Sequence, residues 1–227
     1  MMEGRGAVAV IGWQIQWSDT LEHMIENIVF DLFGVITRFD TEAYYALHHI
    51  SPTDQKILQQ EVFRSLEFAM GDRGTISEED AIGAICARIP DRLHEAARDF
   101  IHRQNRAMRP IPGMEALLQR LKAHGHRLFL LSNTSKAFHR FRAEISGIAL
   151  FDGILISADA GLIKPDPAIF RLACDRFEIQ PYESAFIDDT PINAEAAQYI
   201  GMKAFVFNGD VEKLERWLST SHIHACS

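Results

Sequence analysis

Five side chains stand apart in this sequence because of where they fall: Asp31, Ser132, Lys164 and the pair Asp188-Asp189. Asp31 ends the apolar run Ile28-Val29-Phe30, Ser132 ends Leu128-Phe129-Leu130-Leu131, and Asp188 ends Ala185-Phe186-Ile187. Lys164 lies in the loop Gly161-Leu162-Ile163-Lys164-Pro165, after the run Ile154-Leu155-Ile156 that ends at Ser157. If these runs are strands of one sheet, their ends place carboxylates, a hydroxyl and an ammonium in a single crevice. Carboxylates that close repel one another unless a positive charge lies between them. A hard divalent cation such as Mg²⁺, which takes oxygen ligands, meets that need. Lys164 then offers its charge to an anionic substrate group and Ser132 a hydrogen bond, while Asn133 and Thr134 add backbone N–H groups.

Taken singly, each residue has a plainer explanation. An Asp after a strand is more often a turn residue, and a lone Ser often just caps a helix. Lysines in loops are usually exposed, and acidic pairs are favoured at helix N-termini. Only the combination makes a site.

The runs that carry these residues are short and continuously apolar, the pattern of strands buried on both faces of a parallel sheet. Ala204-Phe205-Val206-Phe207, ending at Asn208, has the same form. Helical patterns lie between them. Met114, Leu117, Leu118 and Leu121 follow the spacing of one helix face. Asp166-Pro167 and Thr190-Pro191 read as N-caps followed by proline at the first helical position, and Gly201 as a helix stop. Strands alternating with helices predict a doubly wound, Rossmann-like α/β fold, in which ligands bind beyond the carboxyl ends of the strands.

One interval breaks the alternation. From Arg38 to Pro110 no strand pattern is evident, and helical stretches are expected near residues 41–49, 53–70, 77–88 and 92–108. Ser77-Glu78-Glu79-Asp80 is a helix-start signature, with Ile82, Ile85, Cys86 and Ile89 on the apolar face. Residues 39–108 therefore read as an inserted all-helical cap, and residues 27–38 with 109–219 as the core. Pro110-Ile111-Pro112-Gly113 is the expected hinge. Residues 1–26 read as an N-terminal extension and 220–227 as a C-terminal tail.

Composition narrows the partners. The 227 residues carry 23 Lys and Arg against 31 Asp and Glu, a net charge of −8. An acidic chain without a basic block argues against nucleic acid and against an anionic membrane surface. No apolar run approaches the ~20 residues needed to span a bilayer. The three cysteines, Cys86, Cys174 and Cys226, are widely spaced and form no metal or disulfide pattern, which fits a cytoplasmic protein. The oligomeric state is left open.

Four segments in order carry a family resemblance: Phe30-Asp31-Leu32-Phe33-Gly34-Val35-Ile36, Leu131-Ser132-Asn133-Thr134, Lys164-Pro165-Asp166-Pro167 and Ile187-Asp188-Asp189-Thr190. They resemble the four motifs of the haloacid dehalogenase (HAD) superfamily. The resemblance covers roughly residues 27–219, and the helical insert sits where many members carry a cap. The insert segment Gly74-Thr75-Ile76-Ser77-Glu78-Glu79 and the Ser-Asn-Thr of the second motif resemble a branch that includes sugar-phosphate phosphatases. The resemblance implies that Asp31 attacks phosphorus to form an aspartyl-phosphate, which water then hydrolyses. It implies that Ser132, Asn133 and Lys164 hold the transferred group. It places Mg²⁺ on Asp31, the backbone carbonyl of Phe33, Asp189 and, directly or through water, Asp188. The expected substrate is a small phosphate monoester.

Phe33 departs from the pattern. Phosphatases of the family usually carry there an Asp that protonates the leaving alkoxide and later activates water. Such help is commonly worth ~10²–10⁴-fold. Metal-independent 2-haloacid dehalogenases of the same superfamily also lack that Asp and usually have an aromatic residue in its place. The fourth motif favours the phosphatase, because Asp188-Asp189 suits a bound cation and burdens a metal-free anion pocket. A third possibility is a catalytically weak member kept as an interaction or regulatory module.

The remaining singular residues read as structural. His48-His49, His222 and His224 are expected to be solvated, and His124 and His126 flank a turn. Phe63, Phe68 and Met70 are expected to pack within the cap, and Arg73 to be a solvated charge. For Asn193 a binding role and a structural one are equally open.

Overall fold

The computed structural model describes residues 25–220. The expected extension before residue 25, the tail after residue 220, and with it His222, His224 and Cys226, lie outside the described residues. The chain enters the sheet at β1 (Asn27–Phe30), whose residues are all buried. A tight loop leads to β2 (Thr37–Phe39). Helices α1 (Thr41–Leu47), α2 (Pro52–Leu58), α3 (Leu66–Arg73), α4 (Glu78–Cys86) and α5 (His94–Arg103) follow, and β3 (Met108–Pro110) brings the chain back. The remainder alternates: α6 (Met114–Ala123), β4 (Arg127–Ser132), α7 (Phe138–Phe141), β5 (Gly153–Ile156), α8 (Ser157–Ala160), α9 (Pro167–Phe177), β6 (Ser184–Asp188), α10 (Pro191–Tyr199), β7 (Lys203–Val206) and α11 (Val211–Thr220).

The main sheet has the order β5-β4-β1-β6-β7, and every pairing in it is parallel. Phe30 of the central strand lies opposite Leu130 on one side and Ile187 on the other. Because side chains alternate along a strand, Ile28 and Phe30 face one core with α6 and α11, while Val29 faces the other with α9. Both faces are covered, which is why the strands read as unbroken apolar runs. The strand order reverses between β1 and β6. That switch point is where open α/β sheets leave a crevice for ligands, and Asp31 and Asp188 lie there.

Two departures from the sequence reading concern the cap. Its stem is an antiparallel ribbon, with Thr37 opposite Pro110 and Phe39 opposite Met108, in an interval expected to hold no strand. Strands of three residues show no recognisable period, and this pair is fixed by long-range contacts such as Thr37 Oγ1 donating to Arg109 O at 2.9 Å. The stretch 53–70, expected as one helix, is broken. Gln59–Phe63 widens into a π-turn, and Ser65 then caps α3 by accepting from Phe68 N at 3.1 Å.

The cap has its own core around Tyr44, Leu58, Val62, Ile85, Leu93 and Phe100. Phe63 and Phe68 pack on Phe100 with ring centroids 4.4 and 5.2 Å away. His48 is not solvated as expected: its Nε2 lies 3.0 Å from Oδ2 of the buried Asp99, which Arg103 and Arg106 also meet. His49 and Arg73 are exposed.

The cap is clamped to the core. Arg140 of α7 meets Glu78 of α4 at 2.7 Å, and His102 shares the same carboxylate oxygen. Ser157 at the start of α8 donates its hydroxyl to the Asp72 carbonyl at the end of α3. The approach is close because Gly74 has φ +75°, and a Cβ there would lie 2.4 Å from Ala158 O.

Candidate active site

Three carboxylates converge at the carboxyl edge of β1 and β6. Asp31, Asp188 and Asp189 each offer an oxygen, and those atoms lie within 4.8 Å of one another. Asp31 is held in place on both sides. Its N–H donates to Ile187 O at 2.8 Å, and its Oδ1 accepts from Leu32 N at 2.7 Å and from Lys164 Nζ at 2.8 Å. Asp188 is fully buried and saturated: Oδ2 accepts from Lys164 Nζ at 2.7 Å, Oδ1 from Thr190 N at 2.8 Å, and both oxygens from Asn193 Nδ2 at 3.1 Å. Asp188 thus fixes the turn into α10, whereas the Thr190 side chain, expected to cap that helix, makes no cap bond. Asn193 thereby holds both oxygens of Asp188 in place. Asp189 is exposed toward the cleft, with only the Thr190 hydroxyl on Oδ1 at 3.2 Å.

Lys164 is buried between the two carboxylates, its ammonium 5.4 Å from the centre of the Phe186 ring. One cation among three carboxylates leaves the cluster short of positive charge. Burial pushes the Asp31 carboxyl up to about 6, with Lys164 opposing and Asp188 adding to the shift. Burial and Asp188 likewise raise Asp189. Such a donor set, all hard oxygens and under-neutralised, fits a Mg²⁺ ion. The loop beyond Asp31 leaves a further oxygen for it. Its backbone bonds use the carbonyls of Leu32 and Thr37, and the Phe33 carbonyl accepts none among the described residues. Gly34 lets this loop come close, since at φ +81° a Cβ there would fall 2.2 Å from Asp189 Oδ2. The Phe33 ring itself packs against the core beneath the loop.

Ser132 ends β4, the neighbour of β1, and its buried hydroxyl has no partner. A buried, unsatisfied hydroxyl is costly, and an anion seated at the strand ends would satisfy it. Of the two backbone N–H groups expected here, that of Thr134 is taken and that of Asn133 is left for a ligand. The Asn133 side chain accepts from Lys164 N at 2.9 Å and donates to Lys164 O at 3.0 Å. The Thr134 N–H is already donated to Ser157 Oγ at 2.9 Å. Asn133 is a clamp on the lysine loop, which leaves only its backbone N–H for a ligand.

Residues 25–201 match the family model for haloacid dehalogenase-like hydrolases, well over half of the chain. The chain belongs to the haloacid dehalogenase-like hydrolase family. Among HAD-like relatives, it is 34% identical over 128 residues to a phosphoserine phosphatase of Thermus thermophilus, covering 56% of this chain and 49% of that protein. It is 25% identical over 189 residues to (S)-2-haloacid dehalogenase 2 of a Pseudomonas species, covering 79% and 82%. The match spans as little as 34% of the length of another curated relative. The fold is shared with a HAD family enzyme from Bacteroides thetaiotaomicron solved with magnesium and inorganic phosphate. There the TM-score is 0.64 at 22% identity, over 84% of this chain and 98% of that one.

One further acidic residue, near this HAD site, was not legible in the sequence. Asp72, near the C-terminal end of α3, lies close enough to the N–H of Ser135, three residues beyond Ser132, and to Asp31 for both to act on its carboxyl. Nothing in the pattern around it distinguishes it, because only tertiary docking of the cap brings it to the strand ends. Among the described residues no helix is long and apolar enough to cross a membrane.

Proposed function

We propose that this HAD-like hydrolase is a Mg²⁺-dependent phosphatase that cleaves a small phosphate monoester through an aspartyl-phosphate. The observation that carries the reading is the gathering of three carboxylate oxygens within 4.8 Å around a single buried lysine. A metal-free dehalogenase pocket must hold a carboxylate substrate, and three acidic groups would repel it. The aromatic Phe33 and the likeness to the Pseudomonas dehalogenase favour the dehalogenase. The T. thermophilus relative and the magnesium and phosphate in the B. thetaiotaomicron enzyme support the phosphatase.

In this reading Asp31, the Phe33 carbonyl and Asp189 hold the metal, and Asp188 reaches it through water while fixing Lys164. Bound there, Mg²⁺ supplies charge that reduces repulsion between the Asp31 carboxylate and a phosphate dianion. Lys164 and the Ser132 hydroxyl bind the phosphoryl oxygens, joined by the Asn133 N–H, and neutralise the charge that develops on them. An Asp31 oxygen forms a bond to phosphorus as the ester P–O bond breaks. Water then attacks phosphorus, the P–O bond to Asp31 breaks, and phosphate leaves. The clamped cap excludes bulk water and limits the site to small substrates, so phosphoproteins are not expected. The free thiols of Cys86 and Cys174 fit a cytoplasmic setting.

The test is phosphate release from aryl and alkyl monophosphates. Release that needs Mg²⁺, stops with EDTA and is lost in Asp31→Asn supports the reading. Halide release from 2-chloropropionate that persists in EDTA, without phosphate release, would replace it with the dehalogenase.

A further inference from the structure

We propose that Asp72 is the general acid and base of this enzyme, contributed by the cap in place of the carboxylate that Phe33 cannot provide. The inference rests on the phosphatase reading, and four observations carry it. First, Phe33 has no proton to give, and its ring is packed into the core. Second, Asp72 sits at the C-terminal end of α3, where the Ser157 hydroxyl on its carbonyl fixes the helix end onto the core. Gly74, just after the helix, lies close against the adjacent Ala158 backbone. Third, its carboxylate lies near enough to the Ser135 N–H of the second-motif loop and to Asp31 for both to act on it electrostatically. Fourth, no cation among the described residues pairs with Asp72, whereas Glu78 at the same cap–core seam is paired with Arg140.

An acid serving this reaction must approach the phosphorus from the side opposite Asp31, where the leaving oxygen lies in an in-line displacement. The end of α3 docks on Ser157, directly after β5, and so brings Asp72 to the carboxyl edge of the sheet. The surroundings also favour proton transfer. Burial, together with Asp31, raises the Asp72 carboxyl to about 7 against the opposing pull of Ser135. A carboxyl poised there both gives and takes a proton near neutrality.

The two half-reactions balance. In the first, the bond from Asp31 to phosphorus forms, the ester P–O bond breaks, and the Asp72 proton passes to the departing oxygen to give the alcohol. In the second, Asp72 carboxylate takes a proton from water as that water attacks phosphorus. The aspartyl P–O bond breaks, and Asp31 is regenerated with Asp72 protonated again.

The decisive variant is Asp72→Asn. It keeps an oxygen acceptor for Ser135 N–H, so the cap docks as before, and its melting temperature serves as the check. Two substrates are compared in Mg²⁺: an alkyl monophosphate, whose alkoxide needs a proton, and 4-nitrophenyl phosphate, whose leaving group does not. Alkyl phosphate turnover is expected to fall by roughly 10²–10³-fold. With 4-nitrophenyl phosphate, one equivalent of nitrophenolate is expected in a rapid burst, followed by slow turnover. Intact-mass analysis should find the trapped phosphoenzyme. Unchanged alkyl phosphate turnover in Asp72→Asn would overturn the inference and leave the phosphatase reading standing. So would an equal loss on both substrates with no phosphoenzyme. A wild-type protein silent on every ester would overturn the phosphatase reading itself, and the inference with it.

Discussion

Asn133 and Lys164 hold each other through a closed pair of hydrogen bonds, the Asn133 amide accepting from Lys164 N at 2.9 Å and donating to Lys164 O at 3.0 Å. The pair ties the loop after β4 to the loop that carries the only ammonium of the site. Lys164 must reach Asp31 and Asp188 together, 2.8 and 2.7 Å away, and a backbone shift of a fraction of an ångström breaks one contact. Asn133→Ala should therefore lower turnover about tenfold, while stability falls by about 1–2 kcal/mol for two neutral hydrogen bonds. Steady-state kinetics beside urea unfolding separate the two. Unaltered turnover would mean that the loop places Lys164 without Asn133.

Gly34 approaches Asp189 more closely than any side chain allows, a Cβ there meeting Oδ2 at 2.2 Å. Gly34→Ala must both strain φ +81° and push the carboxylate aside. We expect a loss of about 1–2 kcal/mol in stability and a weakening of Mg²⁺ binding of at least tenfold. Titration calorimetry with Mg²⁺ alone reads the second effect without any substrate. Wild-type Mg²⁺ affinity in this variant would remove Asp189 from the metal site.

The parts of the fold legible in the sequence are those that local pattern dictates. Unbroken apolar runs marked β1, β4, β5 and β6, because each is covered on both faces, and the polar residue ending each run marked the ligand edge. Three things escaped. The β2–β3 ribbon is too short to have a period, and His48 looked solvated because its partner Asp99 lies 51 residues away. Asp72 looked like any surface acid, because its significance comes from how the cap docks.

Without metal, the site should disfavour high pH. Asp31 has a folded-state pKa raised from 3.8 to about 6, and Asp72 from 3.8 to about 7. Each binds its proton more tightly in the folded protein than in the unfolded chain. Their contribution is fully present below about pH 4 and is lost as pH rises through 6 and 7. The lowered carboxyls, such as Asp99 and Asp152, act with the opposite sign only below about pH 4, outside this window. In EDTA, unfolding free energy should thus fall by at least about 1 kcal/mol between pH 5 and 7, and Asp31→Asn should flatten part of that slope. Urea melts at several pH values test this. A slope identical in the variant would show that Asp31 titrates as it does in the unfolded chain.

Lys164→Met tests the electrostatic arrangement most directly. Among the described residues the ammonium is the sole cation between Asp31 and Asp188, and Asp188 has no exposure to water. Removing one partner of a buried pair leaves the other's desolvation uncompensated, commonly a loss of about 3–5 kcal/mol. The loss should be largest at pH 7 in EDTA and smaller at pH 5, where Asp31 is already mostly protonated. Making Asp188 neutral as well should restore much of it, so Lys164→Met/Asp188→Asn should be more stable than Lys164→Met alone. Activity should not return in the double variant, because the phosphoryl group would still lack its ammonium. If the double variant is no more stable than the single one, the cost of losing Lys164 comes from its packed methylenes against Phe186 and not from its charge.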